Sequence, residues 1–206
     1  MGLKAELRKI YATRRRELTE EEVQLASQKI AENFFREFPP QAGQTIHTFL
    51  PILKNREVDT RYIVQELREH HHQVQIAVPV ANPADYSMTH FLLQPDTQID
   101  TSRWGIPEPV NALPVPESEI GVVLVPLLVA DLQGHRVGYG KGFYDRFLAL
   151  LPQASLKLGL AFDAPIERID DVTSLDLVLD GLITPQKVYR FGEDNPPEES
   201  KSSKKN

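Results

Sequence analysis

The sequence predicts an α/β protein in three layers, helices on both faces of a mainly parallel sheet, and three observations predict it. Segments with apolar residues at helical spacing alternate with short runs rich in Val, Ile and Leu. The most apolar run, Ile120 to Ala130, lacks the in-and-out alternation of a half-exposed strand, as expected for a central strand covered on both faces. A glycine-rich segment, Arg136 to Gly142, follows it and leads into another helix. Open sheets of this Rossmann-like kind bind ligands in loops beyond the carboxyl ends of their strands, so 51–57 and 131–142 are the informative loops.

Leu3, Leu7, Ile10 and Leu18 predict a first helix over 3–18, with Lys4 and Arg8 four apart on one face. Thr19-Glu20-Glu21-Glu22 is a capping-box pattern, and Val23, Ala26, Ile30, Phe34 and Phe38 carry a second helix to the stop at Pro39-Pro40. Thr45 to Leu50 reads as a short strand, 51–57 as a loop, Thr60 to His71 as a helix with Ile63, Val64 and Leu67 inward, and Val74 to Val80 as a second strand. Pro83, Pro95, Pro107, Pro109, Pro114 and Pro116 punctuate a loop-rich middle that holds a short strand over Met88 to Leu93. After the apolar run come a polar turn (Asp131 to Gly134), the glycine segment, and a helix from Phe143 to Leu151 that stops at Pro152. Strands at Lys157 to Phe162, Val178 to Ile183 and Val188 to Phe191 complete the pattern. Residues 1–192 are expected to form one domain, and 193–206, polar and without periodicity, a disordered tail.

Composition narrows the chemistry. The chain has no cysteine, which excludes disulfides, a thiolate nucleophile and cysteine zinc sites. No run of about 18 uncharged apolar residues occurs, and the first 16 residues form a charged helical pattern without the apolar stretch of a secretory signal, so a cytoplasmic protein away from membranes is expected. A net charge of −6 disfavours sequence-independent nucleic-acid binding. The charge is uneven: residues 1–16 carry +5 and the rest −11. The first helix is therefore a local partner for an anion, or a solvated charged face.

The segment Arg136-Val137-Gly138-Tyr139-Gly140-Lys141-Gly142-Phe143-Tyr144-Asp145-Arg146 places three glycines at alternate positions just before a helix. Backbone amides there, with Arg136 and Lys141 beside them, suit a phosphate; a tight turn needing positive φ explains the glycines equally well. The pattern is neither the dinucleotide fingerprint, since Phe143 stands where the third glycine belongs, nor the Walker pattern, since no Ser or Thr follows Lys141. Asp145 in the first helical turn is favoured by the helix dipole, and it is also placed for Mg²⁺, which takes one or two carboxylates and completes its shell from phosphate and water. Asp176 or Asp180 is placed to supply a second carboxylate, or else keeps a strand edge soluble. Glu57 faces the same crevice or serves as a charge before a helix. Trp104 stacks on a flat heterocycle or, more commonly, fills a core. His70-His71-His72 closes a helix, where imidazoles complement the dipole, and lacks a nearby spacing for metal ligation. His135 is a weak acid/base candidate.

Val125-Pro126 followed by Gly134 to Arg146 resembles the signature of the 5-formyltetrahydrofolate cyclo-ligase (5,10-methenyltetrahydrofolate synthetase) family: a proline-ended strand, a variable turn and a glycine-tyrosine-aspartate block. Lys4-Ala5-Glu6-Leu7-Arg8, Phe49-Leu50-Pro51 with Glu57-Val58-Asp59-Thr60, and Asp176 with Asp180 agree in order, so the resemblance runs from Lys4 to about Thr184. Phe143 stands where many relatives carry Tyr, and Leu175 precedes Asp176 where His is frequent.

The resemblance implies ATP- and Mg²⁺-dependent closure of 5-formyltetrahydrofolate to 5,10-methenyltetrahydrofolate, with ADP and phosphate released. A formamide carbonyl is a poor electrophile; ATP phosphorylates its oxygen, N10 attacks the activated carbon, and phosphate departs. It further implies that Lys4, Arg8, Arg136, Gly138, Tyr139, Gly140, Lys141, Gly142 and Tyr144 hold ATP, with Lys141 catalytic through charge on the transferring phosphoryl group. Leu50, Glu57 and Tyr139 to Phe143 would hold the folate, and Asp145 and Asp176 the Mg²⁺. A monomer with these small-molecule partners is expected. Two rival readings stand beside it: a sugar-phosphate isomerase or CoA-transferase-like protein needing no magnesium nucleotide, and a folate-binding module without turnover.

Overall fold

The computed structural model describes residues 2–192, so the tail expected over 193–206 lies outside the described residues. Helix α1 (Lys4–Glu17) leads into α2 (Glu20–Glu37) through a capping box, in which the Thr19 hydroxyl accepts from the Glu22 amide while the Glu22 carboxylate accepts from the Thr19 amide. Strand β1 (Thr45–His47), helix α3 (Arg61–His70) and strand β2 (Gln75–Asn82) follow in the predicted order.

The loop-rich middle is more ordered than its prolines suggest. It contains β3 (Ser87–Leu92), β4 (Gln98–Thr101), β5 (Pro107–Val110) and β6 (Pro114–Val115). β4 and β5 pair with each other as an antiparallel ribbon outside the main sheet. Every strand of a two-stranded ribbon is an edge, which is where proline is tolerated, and β4 is exposed along its whole length, so no apolar run marks it in the sequence.

The apolar run from Ile120 to Ala130 is two strands, a correction to the single central strand expected. β7 (Val122–Pro126) enters the sheet and stops at Pro126, which has no amide to donate onward. The chain then turns into β8 (Val129–Ala130), which forms a hairpin with β9 (Arg136–Val137). Its apolar residues are buried against α1 instead: Leu128, Val129 and Val137 pack with Leu7, Tyr11 and Ile169. Helix α4 (Phe143–Leu148) ends sooner than expected, because the Leu150 and Leu151 amides bond three residues back in a tightened turn ahead of Pro152. β10 (Leu156–Leu160), β11 (Gly181–Ile183) and β12 (Val188–Arg190) complete the chain. β11 starts later than expected, since Leu179 bonds Gly134 and the Asp180 carboxylate takes the Lys157 amide at 2.7 Å.

The eight-stranded sheet runs β12-β11-β10-β7-β1-β2-β3-β6. The five strands from β11 to β2 are parallel, flanked by antiparallel β12 and β3. Alternate residues divide the core. Val122 and Leu124 join Ile46, Ile76, Leu158 and Leu160 beneath Ile30 and Phe34 of α2 and Ile63 and Leu67 of α3. Val123 and Val125 join Ala77 and Leu182 beneath Phe147 and Leu148 of α4. Burial of each large side chain contributes roughly 1.5–3 kcal/mol, enough for packing on both faces to fix a strand as short as β1. The fold is thus α/β with helices on both faces, the second layer being one short helix completed by Ile120, Leu127 and Leu179.

Candidate functional site

At the carboxyl ends of β7 and β10 and in the loop after β1, the chain opens a cleft of about 150 Å³ lined by Phe49, Glu57, Pro126, Tyr139, Arg15 and Asp163, among others. Helix α1 lies across it. Residues 4, 8 and 15 fall within about 40° of one another around a helix, so Lys4, Arg8 and Arg15 share one face. All three reach the other side of the site. Lys4 Nζ lies 2.5 Å from Asp176 Oδ2, Arg8 Nε donates to the Gly138 carbonyl at 2.9 Å, and Arg15 Nη1 donates to the Tyr139 hydroxyl at 2.6 Å. The Arg15 guanidinium carbon is also 5.2 Å from the centre of the Tyr139 ring.

The glycine segment has the tight turn that one reading of the sequence required. Gly140 and Gly142 have φ of +82° and +72°, so the turn does need residues free of a side chain. A β-carbon on Gly140 would also stand 2.9 Å from the Arg8 guanidinium carbon. Gly138 has neither a positive φ nor a neighbour within 4 Å of the place a β-carbon would take, so that side of the residue faces open space. Because α4 has only six residues, its dipole is a weak source of attraction for an anion. Positive charge here comes from side chains.

Those charges are mostly paired. Arg136, 8% exposed, donates through Nη2 to Asp145 Oδ1 and through Nη1 to the Leu177 carbonyl, both at 2.6 Å. Burial lowers its pKa, and the nearby carboxylates of Asp145 and Asp176 work against that. Burial favours the neutral form of Asp176, but hydrogen bonds from Lys4 and Thr173 prevail and hold the carboxyl below its usual range. Lys141 is exposed and makes no ion pair among the described residues. Glu57 is buried, and its Oε2 accepts the Ile52 amide at 2.8 Å. Burial raises its carboxyl, while the Ile52 amide, the Tyr139 hydroxyl and Arg15 pull it back.

Beneath α4 the chemistry is different. The Tyr144 hydroxyl, both ring nitrogens of His47 and of His90, and the Thr48 hydroxyl are buried without a protein partner. His47 and His90 meet edge to face at 4.9 Å, and Phe147 lies 4.0 Å from His90. Burial holds His47 neutral, far below its usual pKa, and holds His90 down at about 4 despite Glu117 at 3.9 Å.

Other sequence candidates lie elsewhere. Leu50 packs against the core under α2 and α3, and its neighbour Phe49 lines the cleft. The Phe143 ring meets Tyr86 at 5.6 Å. Trp104 is 54% exposed between β4 and β5, so it does not fill the core, and the Lys54 ammonium lies close against neighbouring Gly105. His71 stacks on Phe35 at 5.4 Å and His70 pairs with Glu66. His135 leans on Asp131, and Asp180 binds Lys157. Sequence reasoning missed Arg14, Arg15 and Asp163 as cleft residues; the run Arg14-Arg15-Arg16 at the end of a basic helix was the available signal.

The fold and site define a parallel-sheet α/β protein with a basic helix laid over a glycine loop at the strand ends, an arrangement suited to an anionic ligand. The sequence matches the 5-formyltetrahydrofolate cyclo-ligase family over residues 1–183, and the chain belongs to that family, a family of ligase enzymes. It is 30% identical over 184 residues to the 5-formyltetrahydrofolate cyclo-ligase of Escherichia coli (strain K12), covering 86% of this chain and 98% of that protein. It is 29% identical over 166 residues to that of Haemophilus influenzae, covering 78% and 83%. The solution structure of Aquifex aeolicus 5,10-methenyltetrahydrofolate synthetase superposes with a TM-score of 0.77 at 27% identity, covering 97% of this chain and 98% of that one. The family and these relatives indicate 5-formyltetrahydrofolate cyclo-ligase activity.

Proposed function

We propose that the chain closes 5-formyltetrahydrofolate to 5,10-methenyltetrahydrofolate with ATP and Mg²⁺, releasing ADP and phosphate. The observation that carries this reading is Lys141, a cation unpaired among the described residues and set between two positive-φ glycines, beside paired charges on either hand. Phosphoryl transfer gains most from a charge aimed at the equatorial oxygens and not already committed elsewhere. Lys4, Arg8 and Arg136 brace the loop through Asp176, Gly138 and Asp145, and the open space where Gly138 lacks a side chain leaves room for phosphate. In this reading Lys4, Arg8, Arg136, Gly138 to Gly142 and Tyr144 hold ATP.

Asp145 pairs with the buried Arg136, and the charge of Asp176 acts on the same guanidinium. That donor set fits Mg²⁺, for which two protein oxygens suffice when phosphates and water supply the rest. Mg²⁺ would neutralise phosphate charge during transfer. Arg136 pairs with Asp145 and Lys4 with Asp176.

On the other side of the loop, Glu57 accepts hydrogen bonds from the pterin, and Phe49 with Tyr139 provides apolar surface for it. The cleft is smaller than the ~300 Å³ usual for a ligand of this size, so binding requires it to widen. The test is absorbance of the methenyl product from 5-formyltetrahydrofolate, with and without ATP and with and without Mg²⁺. Product without ATP, or none with both, would overturn the proposal.

A further inference from the structure

We propose that Arg15 is a positioning residue of the folate site: it holds Tyr139 over the cleft and faces Glu57 with a positive charge, so that Glu57 receives the pterin as a carboxylate. This rests on the cyclo-ligase reading above. Arg15 stands eleven residues from Lys4 on the same helix face, in a stretch that charge counting alone reads as a solvated run. Three observations separate it from Arg16. Its Nη1 donates to the Tyr139 hydroxyl at 2.6 Å, its guanidinium lies against that ring, and its Nε is buried without a partner. A buried N–H without a partner is destabilising, and a ligand acceptor entering the cleft that Arg15 lines would relieve that cost. Arg16, by contrast, bonds only its own helix, at the Ala12 carbonyl.

The groups facing Glu57 come from every wall of the cleft: the Ile52 amide from its own loop, Tyr139 from the glycine segment, Arg15 from α1, and Tyr144 from α4 behind it. Arg14 and Asp163, 3.9 Å apart, occupy the same cleft and largely answer each other. Arg15 is therefore the uncompensated cation near Glu57. A pterin presents N–H donors, which an ionised carboxylate accepts and a protonated one accepts poorly. Burial already pushes Glu57 toward protonation, so losing Arg15 would push it further in that direction.

The experiment uses the full chain with Arg15→Gln, Arg15→Lys and Tyr139→Phe. Carboxyl ¹³C titration of Glu57 in ligand-free protein is read alongside the pH profile of kcat/KM. Arg15→Gln is expected to raise the Glu57 midpoint and the acid limb of kcat/KM by about half a pH unit or more. It should also raise the KM for 5-formyltetrahydrofolate about tenfold while kcat stays within about threefold. Arg15→Lys should restore the titration but not the full KM, because lysine keeps the charge and loses the planar contact with Tyr139. Tyr139→Phe should raise KM without abolishing turnover. An unchanged Glu57 titration in Arg15→Gln overturns the inference, as does a fall in kcat that simply follows loss of thermal stability. If the wild type makes no methenyl product, the cyclo-ligase reading fails, and the titration still decides the Arg15–Glu57 coupling.

Discussion

The two sides of α4 handle polar groups in opposite ways. On the outer side, around the glycine loop, charges are answered by charges: Lys4 by Asp176, Arg136 by Asp145, with Lys141 left free among the described residues. On the inner side, polar atoms of His47, His90, Thr48 and Tyr144 have no protein hydrogen-bond partner, and burial keeps the two imidazoles neutral. With both imidazoles held neutral by burial, the inner side is the one that responds to acid. One short helix with Tyr144 and Phe147 on its inner side and Asp145 on its outer side thus couples the loop to both.

The largest expected effect tests the inner side. His90 titrates near 4 when folded and near 6.5 when unfolded, so between those values the unfolded chain binds more protons and stability falls as the pH drops. The full contribution is present above about 6.5, and about 3 kcal/mol is lost on reaching about 4. His90→Leu should flatten urea-unfolding stability between pH 6.5 and 5 relative to wild type; parallel curves would show that His90 does not titrate this way.

Next is the free charge. Lys141→Ala should lower kcat by a hundredfold or more with folate affinity and thermal stability nearly unchanged, because an exposed unpaired side chain contributes little to folding. A loss under about threefold, less than 1 kcal/mol, would remove Lys141 from the transfer step.

A paired charge should behave otherwise. Asp145→Asn is expected to raise the Mg²⁺ needed for half-maximal activity about tenfold, and also to destabilise the protein by about 1–3 kcal/mol, since it weakens the partner of the buried Arg136. Unchanged magnesium dependence with the same destabilisation would leave Asp145 a purely structural partner. The smallest effect is expected for Arg8→Ala, a roughly fivefold weakening of ATP binding through loss of its hold on the Gly138 carbonyl. Unchanged ATP affinity in a normally melting variant would detach α1 from the nucleotide.

Much of this was legible without coordinates, and the pattern of what was not is instructive. The Thr19–Glu22 capping box, the stripe of α2 and the alternation of strands with helices are local, and local rules read them correctly. The six residues of α4 and the split after Pro126 depend on what the following segment packs against, and periodicity does not see that far. β4 has no apolar residue buried, so it left no trace in the pattern.

The sequence by itself determined the alternation of helices with apolar strands that makes a parallel sheet, and it marked the glycine loop and the basic helix separately, because each of these follows from spacing within a few residues. Only the tertiary structure decided which charges answer which. Lys4 finds Asp176 across 172 residues, Arg8 finds Gly138 across 130 and Arg15 finds Tyr139 across 124. No spacing rule spans such distances, since they are set by the packing of α1 against β8 and β9. The same path determines that Lys141 has no opposite charge beside it among the described residues, and that His47 and His90 meet where water is excluded.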